Sequence, residues 1–389
     1  MAMTSKQRMI TALERGKPDR LPVTTHHLMQ YYLDKYEGGI SAQDFFDRYR
    51  LDPITWQVLH KPVPGSGDYP DPLQGEVGFL EARRICSAQW HTEFEDILGG
   101  DYQTRRYRFV TPKGSLTMVT QSNNQTTWVT EYPVKNKRDI DLIGEFVTSP
   151  CCDVEAVNRA VEQYGERGMV RSHIPTFDVY GQPGAWQDAC CLYPTEQLIL
   201  ETYDDPAWVH EFLRILQRRK KVYIRSMAGA KFDLIELGGG AASSTVISPK
   251  VFDEFVAPYD SEMIALAHQA GQRIVYHTCG GMMPLLEKIA AMKPDAMETL
   301  TPPAMGGDVN LAEVKRRIGD QVCLIGGFDQ FHALVDCTPE STRAAVRACF
   351  EAAGEGGGFI LSPSDHFFDA DPKLVGAYAN EGRECVYAA

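Results

Sequence analysis

The sequence predicts an α/β protein: a single (β/α)8 barrel carrying an inserted β-hairpin or cap region. Three observations predict it. From about residue 168 onward, short apolar runs alternate with helical stretches, the pattern of βαβ units in a parallel sheet. Almost every one of those runs ends in a residue able to bind metal or move a proton, and barrels collect their chemistry at the carboxyl ends of the strands. Between about 60 and 145 the rhythm differs, with a stretch of alternating residues typical of a hairpin.

The elements follow in order. Residues 4–16 read as an amphipathic helix, and Arg20-Leu21-Pro22-Val23-Thr24-Thr25 as a first strand that ends at His26-His27. Tyr102 to Val110 alternates, Thr111-Pro112-Lys113-Gly114 turns, and Ser115 to Thr120 alternates again. Met169 to Ile174 is a strand, followed by helical patterns at 186–203 and 206–228. Phe232 to Glu236 is the next strand and 249–269 a long helix. Further strands fall at Arg273 to Tyr276, Ala296 to Glu298, Val322 to Ile325 and Gly358 to Leu361, with helices at 283–292, 309–318 and 338–353. This gives one domain over 1–389, with an insertion at about 60–145 expected to cap the barrel mouth, where loops set specificity.

Composition limits what the chain does. No apolar run approaches the roughly 20 residues that cross a bilayer. The N-terminus leads into a polar helix, not an apolar signal core, so a cytoplasmic protein is expected. The net charge of −13 disfavours nucleic acid and anionic membrane as partners, though it leaves room for a local basic pocket. Ten cysteines without a CxxC motif read as free thiols, including the adjacent pairs Cys151-Cys152 and Cys190-Cys191.

The most informative stretch is Tyr276-His277-Thr278-Cys279-Gly280-Gly281. Two residues apart on a continuing strand, His277 and Cys279 share a face, and imidazole plus thiolate suits zinc. Glu298 ends the next strand, 19 residues after Cys279, and Asp365-His366 end the last. A His, a Cys, a Glu and one of Asp365 or His366 make a four-point metal site, with Glu298 the ligand that yields to substrate. Without metal, His277 and Glu298 would be hydrogen-bonded polar groups lining the barrel mouth. Glu236, before Gly238-Gly239-Gly240, and Glu298 are the candidate catalytic carboxylates. His26, Asp178, Tyr180, Asp329 and His366 are the candidate substrate-binding groups. His173, inside a strand, reads as structural, and the Gly238–Gly240 run as backbone clearance for a ligand.

Arg20-Leu-Pro-Val, Ile247-Ser-Pro-Lys-Val-Phe-Asp-Glu-Phe-Val-Ala-Pro-Tyr, His277-Thr-Cys-Gly and Leu361-Ser-Pro-Ser-Asp-His resemble the uroporphyrinogen decarboxylase superfamily over nearly the whole chain. That resemblance implies the barrel and one of two chemistries: metal-free decarboxylation of uroporphyrinogen, or zinc-dependent methyl transfer with a corrinoid protein. The decarboxylases carry an arginine-rich motif near the N-terminus; here the matching stretch His26-His27-Leu28-Met29-Gln30-Tyr31-Tyr32 has no arginine. The methyltransferase motif His-x-Cys-Gly matches His277 and Cys279, while the position of a later cysteine ligand holds Asp365. The resemblance therefore implies a zinc methyltransferase with His277 and Cys279 as ligands; Asp365, His366 or Glu298 replaces the missing cysteine, and the reading taken is His277, Cys279, Glu298 and Asp365. It would move methyl between a small molecule, such as a methoxylated compound, and a corrinoid carried on a separate protein. The alternatives are a decarboxylase, or a non-catalytic barrel that binds a corrinoid or tetrapyrrole.

Overall fold

The computed structural model describes residues 3–25, 27–73 and 84–387. Seven parallel strands form one curled sheet: β1 (Ile54–Trp56), β6 (Met169–His173), β7 (Leu234–Gly238), β8 (Ile274–His277), β9 (Ala296–Thr299), β10 (Cys323–Phe328) and β11 (Phe359–Pro363), each paired with the next. Helices separate them, as the alternation of apolar runs requires. The stretch read as a first strand makes a parallel bridge from Val23 to Leu361 of β11. On its other side the Val23 carbonyl accepts from the Asp52 amide at 2.7 Å, just ahead of β1. Residues 22–24 thus touch both edges of the sheet.

Period two explains what fills the space inside the curl. Ile54, Met169, Leu234, Val275 and Ala296 belong to one buried cluster with Cys323, Ile325 and Ile360. Met9, Ala12 and Leu13 of the first helix (Ser5–Leu13) pack into the same cluster and close it from the amino-terminal ends of the strands. Two residues further along each strand, on the same face, stand Trp56, Arg171, Glu236, His277 and Glu298. An apolar floor therefore carries a polar layer.

The alternating region forms a separate antiparallel sheet of β2 (His91–Ile97), β3 (Gln103–Thr111), β4 (Gly114–Ser122) and β5 (Thr127–Glu131). β3 and β4 pair from Gln103↔Ser122 to Thr111↔Gly114 around the turn at Pro112-Lys113. Just ahead of β2, Trp90 is buried against Phe109 and Phe177, which ties this sheet to the loop after β6.

Several elements differ from the sequence reading. β1 has three residues directly after Pro53, too short to show a period. The helix expected at 186–203 is two helices, Ala185–Leu192 and Thr195–Asp204, because Pro194 cannot continue the first. The helix at 249–269 contains a five-residue π segment, Phe252–Val256, next to Pro258, which has no amide hydrogen to donate. β7 runs on to Gly238, so Glu236 lies inside the strand and not at its end. Gly238 (φ 120°) would place a β-carbon 2.2 Å from the His277 carbonyl oxygen. Its clearance serves the neighbouring strand and not a ligand. No helix among the described residues is long and apolar enough to cross a membrane.

Candidate active site

Arg171 organises the polar layer. It stands mid-strand in β6, fully buried, on the face that its neighbours line with Glu236 and Glu298. Its Nη1 donates to Glu298 Oε2 at 2.8 Å and its Nη2 to Glu236 Oε2 at 2.7 Å, and Nη2 also donates to Glu298 Oε1. The guanidinium carbon lies 4.6 Å from the centre of the Trp56 ring. Glu298 is fully buried, and its Oε1 also accepts from His277 Nδ1 at 2.8 Å. A carboxylate only accepts, so Nδ1 carries the hydrogen and the lone pair of a neutral ring is on Nε2. Burial alone would lower the His277 pKa. Glu236, a hydrogen bond with Cys279, and Glu298 together raise it well above the ordinary histidine value.

The backbone beyond Glu298 is held in an unusual conformation. Thr299 (φ 81°) and Leu300 (φ 51°) are consecutive left-handed residues, which is strained for a β-branched side chain. The Thr299 hydroxyl donates to the Thr278 carbonyl at 2.5 Å, locking the end of β9 to the segment that links His277 and Cys279. A β-carbon on Gly240 would lie 2.7 Å from Cys279 Sγ, so the glycine there makes room for the thiol.

A cavity of about 440 Å³ opens above this layer at the carboxyl ends of the strands. Glu236, His277, Cys279, Asp365, His366 and Asp178 all line it. One donor atom each of Glu236, His277 and Glu298 lies within 4.8 Å of the others, a spacing compatible with one metal ion. Among the described residues the converging trio holds Glu236, where the sequence reading had Cys279 and Asp365. Asp365 lines the cavity but is not part of that trio; its Oδ1 accepts from the His366 amide and faces the His366 ring, both at 2.8 Å. Glu298, expected to yield to substrate, has both oxygens engaged by Arg171 and His277.

Of the expected substrate-binding groups, Asp178 accepts from Trp90 Nε1 at 2.6 Å. Tyr180 donates to the Thr127 carbonyl at 3.1 Å, and burial pushes its phenol up to about 12. Asp329 does not line the cavity: it caps the short helix Gln330–Ala333 by accepting from the His332 amide and ring. His26 lies outside the described residues. Its neighbour His27 lines the cavity, with its ring 5.5 Å from Trp56 and 6.2 Å from His366. Buried His173 also reaches the cavity wall, and burial holds its imidazole below the ordinary value. The sequence reading assigned no role to Arg171, Trp56 or Arg84; a charged residue inside the apolar run of β6 was the available signal for the first. The loop Gln125–Thr127 of the antiparallel sheet lines the same cavity.

Fold and cavity together define an α/β protein with acid, base and thiol groups gathered at the carboxyl edge of a parallel sheet. Residues 168–379 match the family model described as uroporphyrinogen decarboxylase (URO-D). The chain belongs to the uroporphyrinogen decarboxylase family. The uroporphyrinogen decarboxylase of Aliivibrio salmonicida is 28% identical over 271 residues, 65% of this chain and 70% of that protein. That of Thioalkalivibrio sulfidiphilus is 29% identical over 188 residues, 46% of this chain and 49% of that protein. A methyltransferase from Methanosarcina mazei has the same fold, with a TM-score of 0.62 at 15% identity, covering 98% of this chain and 99% of that one.

Proposed function

We propose that the chain is a zinc-dependent methyltransferase on a (β/α)8 barrel, moving a methyl group between a small molecule and the corrinoid of a separate protein. The observation that carries this reading is the chain of contacts from Arg171 through Glu298 to His277. A carboxylate that fixes one ring nitrogen of a histidine orients the other for a metal. Charge supports the same reading. Arg171 neutralises one of the two carboxylates, and the other plus a Cys279 thiolate leave two negative charges for a divalent ion to balance.

His277 and Cys279 would hold zinc, with Glu236 as third donor and Asp365 as the carboxylate able to complete the set. Glu298, read from sequence as a ligand, would act by holding His277. Bound there, zinc would supply Lewis acidity toward a thiol or an ether oxygen. Arg171 holds Glu298 in place, and Glu298 in turn fixes the His277 Nδ1 hydrogen on its own side, leaving Nε2 free to face a metal. Trp56, His27 and Tyr180 give the cavity flat apolar walls suited to a small methoxylated ring. A hydroxyl on such a ring would donate to Asp178, and its ether oxygen would accept from His366.

The curated relatives favour a second reading, decarboxylation of uroporphyrinogen. The cavity lining weighs against it. Asp178, Glu236 and Asp365 face the cavity together with Arg84, which is paired with Asp71. A polycarboxylate substrate would meet repulsion.

The test is metal analysis of protein purified without chelator, joined to a spectral assay of methyl transfer from 2-methoxyphenol to cob(I)alamin. Zinc close to stoichiometric, with transfer abolished by chelation, is the expected result. Metal-free protein that decarboxylates uroporphyrinogen would overturn the proposal.

A further inference from the structure

The opposite end of the sheet carries a second cleft, of about 410 Å³, lined by Arg8, Arg20, Arg50, Arg167 and Arg383 with Asp47. Five guanidinium groups meet here in a chain with 52 acidic residues against 39 basic ones. Two of them are anchored. Arg8 pairs with Asp19 and Asp52, and Arg20 with Asp52, which is fully buried and also accepts from the Val23 amide. The other three have no carboxylate within ion-pair distance among the described residues. Arg167 donates to the carbonyls of Gln163 and Tyr164. Arg383 donates to the Tyr49 carbonyl and the Asn380 side chain. Arg50 is exposed, on a left-handed backbone (φ 53°) at the end of the helix Ala42–Tyr49.

Ser5, the first residue of the nine-residue helix Ser5–Leu13, also lines the cleft. That helix end is already met by carboxylates: the Thr4 hydroxyl donates to Glu166 at 2.6 Å and the Met3 amide to Asp19 at 2.9 Å, so the unpaired arginines are what leave the cleft positive. The mutual repulsion is visible at Arg383, whose guanidinium is held below its ordinary value by burial, then by Arg20 and Arg50, against the pull of Asp52 and Glu384.

We infer that this cleft is a binding site for a compact polyanion carrying a diphosphate group. Planar guanidinium forks match phosphate oxygens in pairs, and several forks around one cleft favour a doubly charged group over a single carboxylate. Phe46 is buried beneath the cleft and offers no open ring face, so the lining recognises phosphate charge and not a base. The site stands at the amino-terminal ends of the strands, away from the cavity, and does not depend on how the cavity is read.

Isothermal titration of the full chain with inorganic pyrophosphate, and separately with ADP, tests this. The expected result is saturable one-to-one binding that weakens from 50 to 200 mM salt. Arg50→Ala/Arg167→Ala should weaken it by about tenfold or more, since each loses a charge-assisted contact. Asp47→Asn should tighten it. These residues are exposed, so melting temperatures should stay close to that of the parent. Equal affinity for the two probes marks the diphosphate as the recognised group; clearly tighter ADP binding would show a contact to the nucleoside and overturn recognition by phosphate charge alone. Absence of saturable binding by either probe overturns the site. So does unchanged affinity in the double arginine variant, or tighter binding of an oligoglutamate peptide, which would make this a docking surface for an acidic protein segment.

Discussion

Replacing Arg171 by Met removes the charge at the centre of the polar layer while keeping a side chain of similar length. Arg171 and Glu298 are both fully buried, and the guanidinium contacts both oxygens of Glu298 and one of Glu236. In the variant Glu298 stays buried without its counter-charge, and two carboxylates share the layer with only His277 between them. Breaking a buried pair in this way costs about 3–5 kcal/mol, most of it the desolvation of the carboxylate left behind. The packing loss is small by comparison, because Met fills irregular space well. Urea unfolding of chelator-treated protein measures the loss. A second variant, Arg171→Met/Glu298→Leu, removes the stranded charge as well. It should be no less stable than Arg171→Met alone, because an apolar pair avoids the desolvation cost. A loss below about 1 kcal/mol for Arg171→Met, or a double variant whose loss equals the sum of the single ones, would refute the reasoning.

Cys279→Ala should lose most of the zinc found in the parent, as read by mass spectrometry of the metal; full retention removes Cys279 from the site. Glu236→Gln should release more metal than Asp365→Ala, because Glu236 already lies beside His277; the reverse order would make Asp365 the third donor. Asp260 is fully buried beside the Tyr276 hydroxyl, and burial raises its pKa from 3.8 to about 6 against the opposing hydrogen bonds. Its contribution to stability is complete below pH 3.8 and lost as pH rises through about 6, at most about 3 kcal/mol. Asp260→Asn should therefore flatten the fall in urea stability between pH 4 and 7, and an unchanged slope would assign that fall elsewhere.

The parallel sheet was legible wherever an apolar run was long enough to show against its flanks. β6, β8, β9, β10 and β11 were all found within a few residues. β1 was not, because three residues after a proline carry no period. The site was legible in part. His277 and Cys279 announce themselves by spacing, and the register His277↔Glu298 follows once adjacent strands are known. The partners of Arg171 were not readable, because they lie 65 and 127 residues away and only the curl of the sheet joins them. Asp329 stands away from the cavity for a local reason: an aspartate after a strand and before a short helix is a capping residue as readily as a binding one.

The two ends of the sheet are electrically opposed, and this bears on the chemistry. At the carboxyl ends, Asp178, Glu236 and Asp365 line one cavity above the buried Glu298, while Arg171 is locked to Glu236 and Glu298 and Arg84 to Asp71. At the amino-terminal ends, three arginines have no carboxylate partner among the described residues. The cavity potential favours a cation or a neutral ligand, and the cleft potential an anion. Were the cavity built for a carboxylated substrate, the surplus arginines would stand above His277 and not beneath Pro53. A polar layer that holds the buried carboxylate of Glu298 and the cavity-lining one of Glu236 against one guanidinium is incompletely neutralised. An imidazolium at His277 neutralises it in the metal-free chain. A divalent ion would take the place of that proton at His277, so metal uptake should release protons and strengthen as pH rises.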